Sequence, residues 1–162
     1  MNKKIIHLLL LMLFAIMTGC EEDSCSLTTR TVARFQFLDS KTHASITLLQ
    51  GATVTGIATV ADTLNIDTVF NQAKSYMSVP LSYTNKTTYV IHYTELMRDT
   101  IELTHKNIPF VNNIECEPIM KYEVENFRYT TNALDSVTLI NPKITNEETI
   151  NFNIYYRIDS AE

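Results

Sequence analysis

The sequence predicts an all-β fold, an antiparallel β-sandwich of immunoglobulin-like type with about seven to nine strands. Apolar residues alternate with polar ones at a period of two along most of the chain after residue 30. Thr, Ile, Val, Tyr and Phe, which fit pleated and half-buried surfaces, dominate these segments. No window shows an amphipathic helical repeat of any length. Many short strands with one apolar face each indicate two packed sheets, with a small closed barrel as the alternative.

The strand candidates follow one another with short polar connections. In chain order they span residues 30–38, 53–60, 62–70 (the weakest), 76–83, 87–94, 99–106, 114–125, 136–141 and 149–158. The clearest is the last, in which Phe152, Ile154 and Tyr156 alternate with Asn and Arg side chains. Pro80 cannot donate a hydrogen bond to a neighbouring strand, so the segment 76–83 is expected at a sheet edge or at a bulge. The residues 95–98 between two strands are expected to form a hairpin loop.

Composition and charge exclude several classes of protein. The chain has 162 residues, 45% of them apolar and 19% charged, which is typical of one globular domain. Its formal net charge of -5 argues against nucleic-acid binding, which needs a basic surface. Only 3 glycines are present, so a glycine-rich phosphate loop is not expected, and no cofactor is predicted.

The first twenty residues have the features of an export leader. Lys3 and Lys4 precede an apolar run of 13 residues, Ile5 to Met17, that is too short to span a membrane. The segment Met17-Thr18-Gly19-Cys20 resembles a bacterial lipobox, with Met in place of the usual Leu. This resemblance implies cleavage before Cys20 and lipidation of its sulfur by diacylglycerol, which anchors the chain to a membrane. An uncleaved anchor or an ordinary secretory leader is the alternative.

The predicted domains are a lipoprotein signal peptide at 1–19, an acylated and acidic tether at 20–29, and one β-sandwich domain at 30–162. The acidic cluster of Glu21, Glu22 and Asp23 after Cys20 resembles the export signal of surface lipoproteins in Bacteroidota. It favours the outer leaflet of the outer membrane over a periplasm-facing anchor. A solvated tether is the simpler explanation of the same charges.

Two cysteines remain once Cys20 is assigned to lipid. In an oxidising compartment, Cys25 and Cys116 are expected to form a disulfide. Two free thiols are the main alternative. Neither cysteine has a histidine at ligand spacing, so a metal site or a catalytic thiol is not expected.

Several segments together resemble small Bacteroidota lipoproteins that contain a domain of unknown function. That family resemblance implies an extracytoplasmic β domain and supplies no catalytic residues. Besides the lipobox and Cys25, it rests on Arg34 to Phe37, Val79 to Tyr83, Asp99 to His105, Glu115 to Pro118, and the segments 136–144 and 150–158.

Five Asp-(Ser/Thr)-apolar tripeptides are similar to the O-glycosylation motif of exported Bacteroidota proteins. A turn Asp followed by Thr and an aliphatic residue is also how many strands begin, so both interpretations stay open. The hydroxyl residues concerned are Thr63, Thr68, Thr100, Ser136 and Ser160.

Candidate catalytic groups are sparse, and no catalytic or metal-binding residue is predicted. His92 and His105 are expected to be partly exposed strand residues, and no two histidines have metal-ligand spacing. The pairs Glu115/Glu117 and Glu123/Glu125 have a spacing of two, which places each pair on one strand face. A solvated outer face explains them better than glycosidase chemistry.

The sequence therefore predicts a lipid-anchored extracytoplasmic module, with a binding or structural role and an unknown protein or glycan partner. The alternatives are a carbohydrate- or peptidoglycan-active enzyme, or an accessory protein of a surface assembly that offers a sheet edge to a partner strand.

Overall fold

A computed structural model describes residues 30–47, 53–57, 67–69, 74–111 and 118–157. Within these ranges the chain forms ten strands and is all-β. They are β1 (Val32–Asp39), β2 (Thr53–Ile57), β3 (Asp67–Val69), β4 (Tyr76–Pro80), β5 (Lys86–His92), β6 (Arg98–Phe110), β7 (Ile119–Tyr129), β8 (Leu134–Leu139), β9 (Lys143–Ile144) and β10 (Phe152–Tyr156).

The strands form two sheets in a sandwich-like arrangement. One sheet has the order β4-β1-β10-β8 and the other the order β3-β2-β5-β6-β7-β9. All pairings are antiparallel except that of β1 with β10, which is parallel, so the expectation of a purely antiparallel sandwich is wrong at that pair. Strands β5, β6 and β7 form a meander, an order not found in immunoglobulin constant-type domains, where no three consecutive strands are neighbours.

The apolar faces predicted from the period of two form the core between the sheets. Phe35 of the first sheet stacks on Phe152 with a centroid separation of 4.6 Å. Its ring also meets the edge of Tyr89 from the second sheet at 5.7 Å. Each fully buried large side chain of this kind contributes about 1.5–3 kcal/mol through removal of apolar surface from water. The Tyr89 hydroxyl donates a hydrogen bond to the Pro80 carbonyl, 2.9 Å away, and so links the two sheets.

Strand β4 lies at the edge of the four-stranded sheet, as Pro80 predicted. Its partner β1 extends beyond β4 in the direction of Asp39. Every second side chain of β1 faces the core, and Ala33, Phe35 and Phe37 are fully buried there. The hairpin connection between β5 and β6 is also confirmed, but it covers residues 93–97, and Arg98, predicted in the loop, is the first residue of β6.

The two ends of the sandwich differ. At one end β1 begins and the loop after β4 lies beside β6, where the Asn107 side chain donates to the carbonyls of Tyr83 (2.6 Å) and Thr84 (3.0 Å). From this end β6 and β7 continue past the start of β5, because β5 pairs with β6 only as far as Thr104, and β9 pairs with this extension at Tyr122 and Glu123. We call this extension, residues 106–111 and 118–123, the arm, and its end of the sandwich the arm end.

The opposite end, where β1 and β10 finish, is called the loop end. Residues 40–45, 93–97 and 130–133 lie there, three connections that the structure describes in full, beside residues 74–75 that precede β4. The strand direction therefore places the first described residue, Arg30, toward the arm end and the three loops at the other end.

Candidate binding end

The three connections at the loop end are joined to one another through buried polar groups. The backbone N–H of Ser40 donates to the carbonyl of Tyr156 at 2.9 Å, which ties the first connection to the end of β10. The hydroxyls of Tyr93 and Tyr156 lie 3.1 Å apart, which ties the second connection to the same strand. The end of β10 therefore holds both the first and the second connection.

Asp99 organises the third connection. Its side chain is fully buried at the start of β6, yet both carboxylate oxygens have two donors each. Oδ1 accepts from the Thr130 hydroxyl (2.7 Å) and the Asn132 N–H (2.7 Å). Oδ2 accepts from the N–H groups of Ala133 (2.8 Å) and Leu134 (3.0 Å). A buried carboxylate is tolerated only with such donors, and here they fix the turn between β7 and β8.

Asp39 plays the corresponding role at the end of β1. Its Oδ1 accepts from the backbone N–H groups of Lys41 (2.8 Å) and Thr42 (2.6 Å) and from the Thr42 hydroxyl (2.9 Å). The hydrogen bonds from Thr42, first backbone and then side chain, lower the pKa of Asp39. His43 completes the turn with a φ of 56°, in the left-handed region that non-glycine residues rarely occupy.

Tyr93 and Tyr156 form the floor beneath the loops. Burial is the main reason that the pKa of each phenol is raised, and neighbouring Asp99 raises both further. Both hydroxyls therefore stay protonated across the physiological range and act as hydrogen-bonding groups, not as acids or bases.

The surface above this floor combines aliphatic and polar side chains. Leu96 at the tip of the β5–β6 connection is 99% exposed, and Met97 beside it is 46% exposed. Lys41, Glu95 and Asn132 on the three loops are also exposed. Rigid loops that present exposed apolar and polar groups together are suited to recognition, because little conformational freedom is lost on binding.

A second polar cluster lies in the core near the arm end. His105 is 1% exposed, so the expectation of a partly exposed histidine is wrong. Its Nε2 lies 2.7 Å from the Thr87 hydroxyl and its Nδ1 lies 2.8 Å from Asn107 Oδ1. Since the Asn107 amide donates to two carbonyls, its oxygen accepts from Nδ1–H, and Nε2 accepts from Thr87.

This Thr–His–Asn chain has the hydrogen-bond order of a nucleophile, a base and an orienting group. Thr87, however, is only 1% exposed, so no substrate can reach its hydroxyl in this structure. Its oxygen also accepts the N–H of Ser82 at 2.9 Å, which holds the loop after β4. Burial is the largest influence on His105 and lowers its pKa. The arrangement thus holds the loop in place with a neutral imidazole.

Of the two predicted carboxylate pairs, only the pair Glu123/Glu125 lies in the described residues, and a bulge interrupts it. Glu115 and Glu117 lie outside the described residues. Glu123 pairs with Lys106, but the register shifts before Asn126, so Glu125 falls at the irregularity. Glu125 is exposed and Glu123 half-buried, as expected of an outer face.

The predicted lipidation and disulfide residues, Cys20, Cys25 and Cys116, lie outside the described residues, as do Thr63 and Ser160. Thr68 lies in β3. Thr100 and Ser136 lie in β6 and β8 and are half-buried. Modification of any of these five hydroxyls stays a prediction.

In the part of the chain that the structure describes, no cluster of three or more His, Cys, Asp or Glu side chains is arranged to hold a metal ion. The same part contains no helix with the length and apolar character needed to cross a membrane.

Asp99 and His105 are the residues that sequence reasoning missed. The pattern Asp99-Thr-Ile101-Glu-Leu103-Thr-His105 places both on the same face as Ile101 and Leu103, which are fully buried. An ionisable residue that occupies the same alternate positions as buried apolar residues indicates a buried polar contact, and this pattern could have revealed both residues.

Comparison with known proteins places the chain in a family. No curated protein and no solved structure matches it. A family model described as a family of unknown function, DUF6452, matches residues 51–156, which include nine of the ten described strands. The chain therefore belongs to DUF6452.

Proposed function

We propose that this protein is a lipid-anchored module of the outer membrane, held there through Cys20, which presents its loop end to a protein partner. Surface exposure is favoured over a periplasm-facing anchor by the acidic residues that follow Cys20. The immunoglobulin-like classification remains a prediction, and the β5–β6–β7 meander differs from the strand order of a constant-type domain.

The observation that carries the proposal is the polarity of the domain. The predicted tether joins the domain at Arg30, toward the arm end, whereas Leu96 lies at the loop end. Strand β6 alone, 13 residues long, spans about 40 Å between these ends at the usual rise of a strand. The tether thus joins the domain about 40 Å from the exposed loops, which leaves the loop end free of the anchor.

The chemistry of the loop end favours a protein over a glycan. Leu96 and Met97 offer flexible aliphatic surface, which packs against apolar side chains of a partner. The buried carboxylates of Asp39 and Asp99 fix the adjoining loops before any partner binds, which lowers the entropic cost of association.

Site-specific photo-crosslinking tests the proposal. A photoreactive residue at position 96 in the full-length protein, expressed in cells of its own organism, is expected to give a discrete adduct with one protein. Thr138, exposed on β8 in the other sheet, is the matched control position and is expected to give none. The same adducts from both positions, or none from position 96, would contradict the proposal.

A second measurement addresses the leaflet. Protease added to intact cells is expected to degrade a surface-exposed domain. Survival of the domain in intact cells, with degradation after the outer membrane is opened, would assign it to the periplasmic side.

A further inference from the structure

The arm exposes several large apolar side chains. Ile108 and Phe110 are each 37% exposed, and Val111, which follows the end of β6, is 56% exposed. On one face of the arm the register places Ile108 opposite Lys121 and Phe110 opposite Ile119. Exposed apolar residues grouped in this way mark a contact surface.

Basic groups accompany these apolar side chains. The Lys121 ammonium lies 3.4 Å from the centroid of the Phe110 ring, which keeps its charge above the apolar surface. Lys106, on the same face, is exposed and pairs in register with Glu123. Aromatic and aliphatic groups with lysines at their border are typical of protein segments that lie in the headgroup region of a bilayer.

The position of the arm suits such a contact. Nine residues lie between Cys20 and Arg30, and the ten Cα–Cα steps span at most about 35 Å when fully extended. From Thr104 to Phe110 the arm extends about 20 Å at the rise of a strand. The tether is therefore long enough for the arm to meet the membrane that holds the acyl chains, and it leaves from the arm end of the sandwich.

We propose that the face of the arm carrying Ile108, Phe110 and Ile119 rests on the surface of that membrane, with Lys106 and Lys121 directed at lipid phosphates. The inference rests on the lipid anchor of the proposed function. The sequence between the two strands contains Glu115 and Glu117, which disfavour entry of the arm tip first.

The sequence contains no tryptophan, so a single introduced tryptophan is the only source of tryptophan fluorescence. Phe110→Trp keeps an aromatic ring for Lys121, and Leu96→Trp places the reporter on a fully exposed site at the other end of the domain. Full-length lipidated protein is reconstituted into vesicles of phosphatidylethanolamine and phosphatidylglycerol, with and without brominated acyl chains, which quench tryptophan on contact.

The emission of Phe110→Trp is expected to be blue-shifted and quenched several-fold more strongly than that of Leu96→Trp. A further Lys106→Gln and Lys121→Gln exchange is expected to weaken this quenching. Flotation of the protein with the vesicles reports the anchor separately, so a failure of lipidation is distinguishable from a failure of the arm contact.

Equal quenching at both positions in protein that floats, or no quenching at position 110, would overturn the proposal. Blue-shifted but unquenched emission at position 110 would assign the arm to a protein contact, including a second copy of this chain, and would overturn it as well. Matching far-UV circular dichroism spectra of the variants establish that the domain is folded in each case.

Discussion

Replacement of Asp99 by asparagine tests the buried carboxylate that organises the loop end. Asparagine has nearly the same shape and keeps one acceptor oxygen for Thr130 and Asn132. Its amide NH₂ would instead face the N–H groups of Ala133 and Leu134, which now donate to Oδ2. Two hydrogen bonds to a charged group are lost, at about 1.5–3 kcal/mol each, and two buried donors lose their acceptor. We expect the free energy of unfolding to fall by about 3–5 kcal/mol.

Urea denaturation followed by far-UV circular dichroism measures this loss, and thermal unfolding is expected to show a midpoint lower by about 10 °C or more. Asp135→Asn is the matched control, because Asp135 pairs with Arg157 at 3.2 Å on the surface. A surface pair of this kind contributes at most about 1 kcal/mol. If Asp99→Asn costs no more than Asp135→Asn, the carboxylate does not stabilise the turn and the argument for a rigid loop end is wrong.

Three further predictions concern the core histidine and the cysteines. Because burial lowers the pKa of His105 from 6.5, the unfolded chain binds its proton first as the pH falls. Stability is therefore expected to decline below about pH 6.5, and this part of the profile is expected to flatten in His105→Gln. The hydrogen bond with Asn107 and the charge of Glu125 act in the opposite direction and do not remove the effect. If Cys25 and Cys116 form a disulfide, Cys25→Ser is expected to lower the melting midpoint by about 10 °C, and two reactive thiols under denaturing, non-reducing conditions would contradict the bridge. Cys20→Ala removes the sulfur that accepts the diacylglycerol group, so neither acylation nor cleavage of the leader is expected. Membrane extracts of this variant should lack the lipidated form.

Much of the fold could be predicted because one face of nearly every strand is buried. Phe152, Ile154 and Tyr156 in β10 recur at every second position, and all three lie in the core. The short strand β9 was missed because its two residues, Lys143 and Ile144, are too few to show a period. The parallel pairing of β1 with β10 was missed as well, because the alternation of residues within one strand does not show whether the neighbouring strand runs parallel or antiparallel to it.

The boundaries of the long hairpin also departed from expectation. Strand β6 continues to Phe110 and β7 to Tyr129, beyond the predicted 99–106 and 114–125. Past Thr104 no β5 strand lies beside β6, and the face that carries Ile108 and Phe110 is exposed, so burial does not produce a period of two in this part of the strand. In β7 the bulge at Glu125 shifts the alternation before residues 126–129, so the period of the predicted segment 114–125 does not extend to them.

The candidate site was less accessible to sequence reasoning than the fold. Asp99 and His105 have the local context of surface residues, and only their phase with Ile101 and Leu103 indicates burial. Their partners come from elsewhere: the donors to Asp99 are more than 30 positions away in sequence, and Thr87 is 18 positions from His105. Such contacts depend on the tertiary arrangement of strands, which local spacing does not determine.

The central claim is that this domain is held at a membrane by acyl chains on Cys20, with its orientation set by a short tether. The mass of the intact protein extracted from membranes tests this claim most directly. We expect a polypeptide that begins at Cys20 and is heavier than its sequence by a diacylglycerol group and an amide-linked acyl chain. A mass that corresponds to the chain with its first nineteen residues retained, or to an unmodified chain cleaved at another position, would contradict the account.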